Sequence, residues 1–457
     1  MVKALTVQQV TELSGGRLLK GDTSENVTSV CTDTRNIPQG ALFVALIGKR
    51  FDAHDFLQKA IDAGAGALLV SRVPEGIKGC SVILVDDTLT GLQQLAKGYR
   101  KLLPTKAVVI TGSNGKTSTK DMIRGVLESK FQVTATLGNL NNHIGLPLTV
   151  LSTNPEDDFG IWEIGMNHPG EIAPLAEIAA ADIAVITNIG TAHIGNMGSR
   201  EAIAHEKGML AESLTQDGLL VMNANDPFTS SISARTSARV MPAGIDAGEV
   251  QASDLEMLDN GTAFDLSIDG ETARVALPIP GKHMVSNALL AAAVGQEAGL
   301  TVQEIAKALS AVHLTPGRLQ MLEHEGVRVI NDAYNANPDS MRASLTTVGA
   351  MKTEGKRFAI LGEMGELGDS REEDHREIGL LAAAEGFDHV CSVSDGARGF
   401  TEYLSASAYQ TIHHFNSKEA VAAFLMETAR PGDLVLLKGS RSAAMDTIYK
   451  LYATTSS

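Results

Sequence analysis

A chain of 457 residues exceeds what one hydrophobic core organises, so two or three domains are expected. With 44% apolar and 20% charged residues it has the composition of a folded globular protein, which excludes a disordered or fibrous chain. A net charge of -16 repels nucleic-acid phosphates and anionic membranes, so no nucleic-acid partner is expected and anions are confined to a local pocket.

The opening residues, MVKALTVQQVTELSGG, lack the apolar core of a signal peptide or membrane span, and the expectation is a cytoplasmic protein. Three scattered cysteines, Cys31, Cys80 and Cys391, make neither a disulfide framework nor a CxxC zinc pair and fit a reducing compartment. Residues 1–104 mix short strands, ALFVAL at 41–46 and ILVDD at 83–87, with turn-rich stretches, which predicts a small α/β domain. A helix over Gly91–Leu103 and then Pro104 mark its end. From Lys106 the strands KAVVIT, FGIWEIG, ADIAVITNIG and GLLVMN alternate with helices after Lys116, from Glu171 and from Ser199. Strands that are apolar throughout and separated by helices predict a doubly wound parallel sheet, here over 105–314. A long helix follows Gly281, and LTPG at 314–317 announces a third domain over 315–457. There VRVINDAY, RFAILGEMG, HVCSVSD, TIHHF and DLVLLKGS predict a second, Rossmann-like sheet. The fold class expected is α/β in three domains.

The residues that carry chemistry begin with TGSNGKTS at 111–118, a strand end, a Gly-rich turn and a helix start. Such a turn aims backbone N–H groups and a helix N-terminus at an anion, so Gly112, Ser113, Asn114, Gly115, Lys116, Thr117 and Ser118 form a candidate ATP phosphate loop. Lys116 supplies charge to the phosphates and Thr117 a hydroxyl to magnesium. Ile110 stands where the common GxxxxGK[ST] loop has its first Gly, so this is a shorter GxxGKT form. Glu163 ends the next strand on the same carboxyl edge, where a carboxylate can hold magnesium or merely cap a turn. Asn188 and His193 follow the third strand; a loop histidine there can be a ligand or purely structural.

Lys207 falls on the apolar face marked by Ile203, Leu210 and Leu214. An inward lysine snorkels, pairs with a carboxylate or loses its charge, and a neutral amine is able to become a carbamate that ligates metal. His283 and Asn287, one helical turn apart, face either an adenine or the sheet. Arg318 and Asp332 suit a phosphate and a ribose respectively. The acidic run from Glu366 to Glu377 reads as a solvated helix rather than a metal site.

Together these stretches resemble the Mur ligases over essentially the whole chain: TDTR, GALFVALIG, FDAHDF, TGSNGKTS, TLGNLNNHIGLPLT, EIGMNHPGEI, NIGTAHIGNMGS, HEKGML, GKHMVSN, TPGRLQ, NDAYNANPDSM and LLKGSRS, in that order. The resemblance implies ATP-dependent amide ligation through an acyl phosphate, joining D-alanyl-D-alanine to UDP-N-acetylmuramoyl-tripeptide, by a monomer. It implies that Thr117 and Glu163 hold one Mg2+, and that His193 and carbamylated Lys207 help bind a second. By the same carry-over, Asn287 contacts adenine, Arg318 the γ-phosphate and Asp332 the ribose. Thr34, Arg35 and Gly48 would serve the uridine diphosphate, and Asn139, Asn141 and Asn142 the muramoyl-peptide. Tyr334, Asn335 and Asn337 would lie near the amine donor. Met284 and Ala53 depart from the family pattern, which commonly has Asn and Gly there. A folylpolyglutamate synthetase-like ligase is the nearest rival, without evident folate signatures; an ATP-gated binding module would leave the first domain and Lys207 without a task.

Overall fold

The computed structural model describes residues 4–404 and 411–454. Its largest sheet has nine strands and starts from the strand Lys106–Thr111, flanked by Phe159–Glu163 and Ile183–Ile186, all parallel. Alternation along this strand explains its double cover: Val108 and Ile110 enter one apolar core, Ala107 and Val109 another. The first core is closed by the helices Lys116–Glu128 and Lys282–Glu297, through Met122, Ile123, Val285 and Leu289. This is the doubly wound parallel arrangement the apolar strands predict.

Beyond Leu219–Asn223 and Arg239–Ile245 the sheet continues into Val250–Leu258, Gly261–Ile268 and Glu271–Leu277, an antiparallel meander that the sequence reading passes over. Its last turn is Asp269-Gly270, with φ of 50° and 82°, the left-handed pair that a two-residue hairpin demands. The third unit is a six-stranded sheet in the order Gln320–His324, Val327–Asp332, Leu434–Lys438, Arg357–Gly362, His389–Val393, Ile412–Phe415, parallel except at its first pair. A five-stranded sheet from Arg17 to Leu84 makes the first unit. Among the described residues no helix is long and apolar enough to cross a membrane.

The helix Thr88–Arg100, capped by Asp87, joins the first unit to the middle sheet. Leu92, Leu95 and Tyr99 lie in one apolar core with Leu42 and Leu69 on one side and Val109 and Trp162 on the other. Arg100 ends the helix with its guanidinium on Ala179 O at 3.0 Å and on Asp182 at 2.8 Å, while Asp182 also accepts the Ala107 N–H at 2.7 Å. One carboxylate thus fixes the helix against the strand that leads into the phosphate loop. Asp182→Ala takes the carboxylate from a largely buried guanidinium and the acceptor from the Ala107 N–H, and we expect a loss of about 1–3 kcal/mol, seen as a lower temperature for the first thermal unfolding transition; an unchanged transition would show that Asp182 anchors nothing.

Candidate active site

The phosphate loop follows from two glycine conformations. Gly112 has φ 148° and Gly115 φ 80°, both open to glycine and strained for other residues. A Cβ on Gly115 would lie 2.5 Å from Asn287 Oδ1, so the loop is pressed against the helix Lys282–Glu297. Asn188 stitches the loop from beneath: its carbonyl accepts Ser113 N–H at 2.9 Å, its Oδ1 accepts Asn114 N–H at 3.0 Å, and its Nδ2 donates to Asn114 O at 3.0 Å. Asn188 is therefore the loop's scaffold. Lys116 Nζ donates to Gly112 O at 2.7 Å, folding its charge back over the loop. Burial lowers its pKa, opposed by the Glu163 carboxylate and reinforced by the Arg318 cation.

Glu163 is 2% exposed and has no basic partner at ion-pair distance among the described residues. Its oxygens instead accept Thr117 Oγ1–H and Asn141 Nδ2–H, each at 2.8 Å. Asn142 caps the helix Gly145–Ser152 by accepting the Ile144 and Gly145 N–H groups at 3.1 and 2.9 Å. Asn139 is exposed. Of the three asparagines, Asn141 is the one the structure ties to the acid.

Lys207 is 1% exposed, and no hydrogen bond or ion pair reaches its amine among the described residues. Burial, and the neighbouring Lys116 cation, hold its pKa well below the usual lysine range against the pull of Glu206. Glu206 is itself occupied, accepting the Gly170 and Ile172 N–H groups at 2.9 and 2.8 Å. His193, in the left-handed region at φ 64°, directs Nδ1 to Glu366 at 2.5 Å. That bond corrects the reading of the acidic run: the helix begins at Arg371, and Glu366 lies ahead of it at φ 61°, turned toward the middle unit. The His193 bond, opposed by burial, lowers the Glu366 pKa.

The third unit reaches the loop at further points. Asn337 caps the helix Pro338–Ala350, its Oδ1 accepting Ser340 N–H at 2.9 Å, and its Nδ2 donates to Asn114 Oδ1 at 2.7 Å. Asp339 accepts the Thr191 N–H and hydroxyl at 2.6 and 3.0 Å. Thr315 N–H reaches Asp121 on the phosphate helix at 2.8 Å. Arg318 packs on the Tyr334 ring, 4.0 Å from its centre, with its buried Nε unpaired. Asp332 is engaged by Lys438 Nζ and Ser344 Oγ, each at 2.5 Å, and by Leu319 N–H at 3.1 Å. Lys438 also donates to Asn335 O at 3.2 Å. His283 faces this pair: burial, opposed by Asp332 and aided by Lys438, takes its pKa down to about 4.

In the first unit, Arg35 is exposed and pairs with Asp33, Thr34 lies between them in the chain, and Gly48 N–H closes a turn on Phe51 O at 2.9 Å. Their hydrogen bonds are local. Residues that sequence reasoning missed are Asp339, Glu366 and Lys438. A signal existed for Lys438, which ends the last apolar strand at its carboxyl edge, just as Glu163 ends its own. Asp339 and Glu366 act across units, which no spacing reveals.

Residues 110–295 match the Mur ligase middle domain, and residues 317–441 match a domain described as Mur ligase, glutamate ligase domain. The chain is 39% identical over 450 residues, 97% of each chain, to the UDP-N-acetylmuramoyl-tripeptide--D-alanyl-D-alanine ligase of Bacillus subtilis (strain 168). It superposes on MurF from Acinetobacter baumannii with a TM-score of 0.91 at 31% identity over 99% of both chains. The MurF ligase of Thermotoga maritima in complex with ADP is similar at a TM-score of 0.84 and 28% identity, over 93% of this chain and 97% of that one. This chain belongs to the Mur ligase family, among the members named MurF or UDP-N-acetylmuramoyl-tripeptide--D-alanyl-D-alanine ligase.

Proposed function

We propose that the protein joins D-alanyl-D-alanine to UDP-N-acetylmuramoyl-tripeptide, giving the UDP-linked pentapeptide, ADP and phosphate for peptidoglycan synthesis. Supporting this beyond kinship is one observation: Asn337, one of the three residues that the resemblance assigns to the amine donor, is bonded to Asn114 of the phosphate loop at 2.7 Å. That bond supports an amine site adjoining the nucleotide site. Residues 105–314 take ATP, residues 1–104 hold the uridine diphosphate through Thr34, Arg35 and Gly48, and residues 315–457 present the amine. Use of ATP supports a cytoplasmic location.

In the first step an oxygen of the tripeptide's terminal carboxylate attacks the γ-phosphorus and ADP departs, leaving an acyl phosphate. The dipeptide amine then attacks the acyl carbon, phosphate leaves with the bonding pair, and the amine proton passes to solvent. The loop's N–H groups and Lys116 bind the phosphates, and Arg318 neutralises the transferring group. Asn287, against Gly115, borders the adenine site, and Asn141 and Asn142 border the muramoyl-peptide. For the ribose we keep Asp332, whose carboxylate Lys438 and Ser344 hold in place.

The residues fit magnesium. Glu163 is buried with only neutral donors on its oxygens, and with the Thr117 hydroxyl 2.8 Å away it offers hard oxygen donors to a cation. A second ion would be held by His193, whose Nδ1 is oriented by Glu366, and by Lys207 as a carbamate. The buried, depressed amine of Lys207 favours the neutral form that adds CO2 and releases a proton, turning a cation into an anionic oxygen donor. When bound, the ions draw negative charge off the transferring phosphoryl group.

Phosphate release should require UDP-N-acetylmuramoyl-tripeptide and D-alanyl-D-alanine together; equal ATP turnover with neither would replace the ligase with an ATP-gated module. Lys207→Ala should lower kcat on the order of 10²-fold, with partial rescue by short carboxylic acids and none by bicarbonate, whereas full activity removes the carbamate. Gly115→Ala should drive a methyl into Asn287 and weaken ADP binding by on the order of tenfold in calorimetry, while the melting profile keeps all its transitions.

A further inference from the structure

Two cations share one ring in the third unit. The guanidinium carbon of Arg318 lies 4.0 Å from the centre of Tyr334 and that of Arg441 5.4 Å from the same centre. Arg441 opens a short turn, Arg441–Ala443, after Gly439 and Ser440 at the carboxyl end of the strand Leu434–Lys438, so it stands on the ligand edge of its sheet. Its side chain is exposed, and no carboxylate pairs with it among the described residues. The acids that could have done so are taken: Asp332 by Lys438 at 2.5 Å, and Glu363, whose carbonyl accepts the Ser440 N–H, by Arg371 at 2.7 Å. In a protein of net charge -16, this leaves a local excess of positive charge where the amine donor is placed.

We propose that Arg441 binds the C-terminal carboxylate of the incoming D-alanyl-D-alanine and makes a free carboxylate a requirement for the amine substrate. This rests on the ligase reading above. Stacking on Tyr334 restrains the guanidinium while leaving its N–H edge free, the edge that matches a carboxylate in two parallel hydrogen bonds. Lysine lacks that fork. Both guanidinium groups thus lie on one ring, Arg318 at 4.0 Å and Arg441 at 5.4 Å from its centre. With Arg318 on the transferred phosphate, the dipeptide amine lies at the acyl carbon and its other end reaches Arg441. Arg441 is a specificity residue; it takes no part in the bonds made or broken.

The test compares D-alanyl-D-alanine with its C-terminal amide in steady-state assays of the full chain. The wild type should prefer the free acid. Arg441→Gln should raise the KM for the acid by about 10- to 100-fold, leave the KM for ATP unchanged, and abolish the preference for acid over amide; Arg441→Lys should recover part of it. Retained discrimination in Arg441→Gln, or equal losses on acid and amide, would overturn the proposal while leaving the ligase reading standing. A wild type that ligates neither compound would instead overturn that reading.

Discussion

The third unit grips the phosphate loop itself through the side-chain amide of Asn337. Its oxygen caps one helix while its nitrogen holds Asn114 in the phosphate loop. A cap alone contributes about 1 kcal/mol to a helix, and a carboxylate in its place would supply the cap without a donor for the loop. An amide meets both demands. Asp339 on Thr191 and Glu366 on His193 repeat the theme: side chains of the third unit complete middle-unit loops that begin at strand ends.

Electrostatics inside this junction is arranged around mismatched charges. Glu163 is buried with only neutral donors on its oxygens, and Lys207 is buried with no partner among the described residues. Isolated groups of this kind are costly in a folded protein and persist where a ligand completes them. Lys116 lies between the two tendencies, drawn toward its charged form by Glu163 and away from it by burial and Arg318. By contrast Lys438 and Asp332 satisfy one another directly. The first group is built to receive charge, the second to hold shape.

How much of this was legible in the sequence depends on how local each cause is. Parallel strands announced themselves because both faces are buried, and the loop did so because Gly112 and Gly115 adopt conformations that only glycine takes easily. Lys207 was legible from its spacing to Ile203 and Leu210, and it is indeed buried. The antiparallel meander over Val250–Leu277 went unread because its strands alternate and carry exposed charges, a weaker pattern than the apolar runs beside it. The acidic run misled for a related reason: Glu366 shares the composition of the exposed helix that follows it, and what separates them is a backbone turn and a histidine far away in the chain. The pairing of Asp332 with Lys438 is not legible either, because the two residues are 106 positions apart in the chain.

The strand Lys106–Thr111 belongs to two cores at once, with alternate residues committed to opposite faces. The loop it carries is accordingly positioned from both sides by close-packed side chains, and little of its placement is left to the surface. That strand acts as a fixed datum for the molecule. Outlying strands and exposed loops carry no such double constraint, so a substitution there leaves the point of phosphoryl transfer where it is.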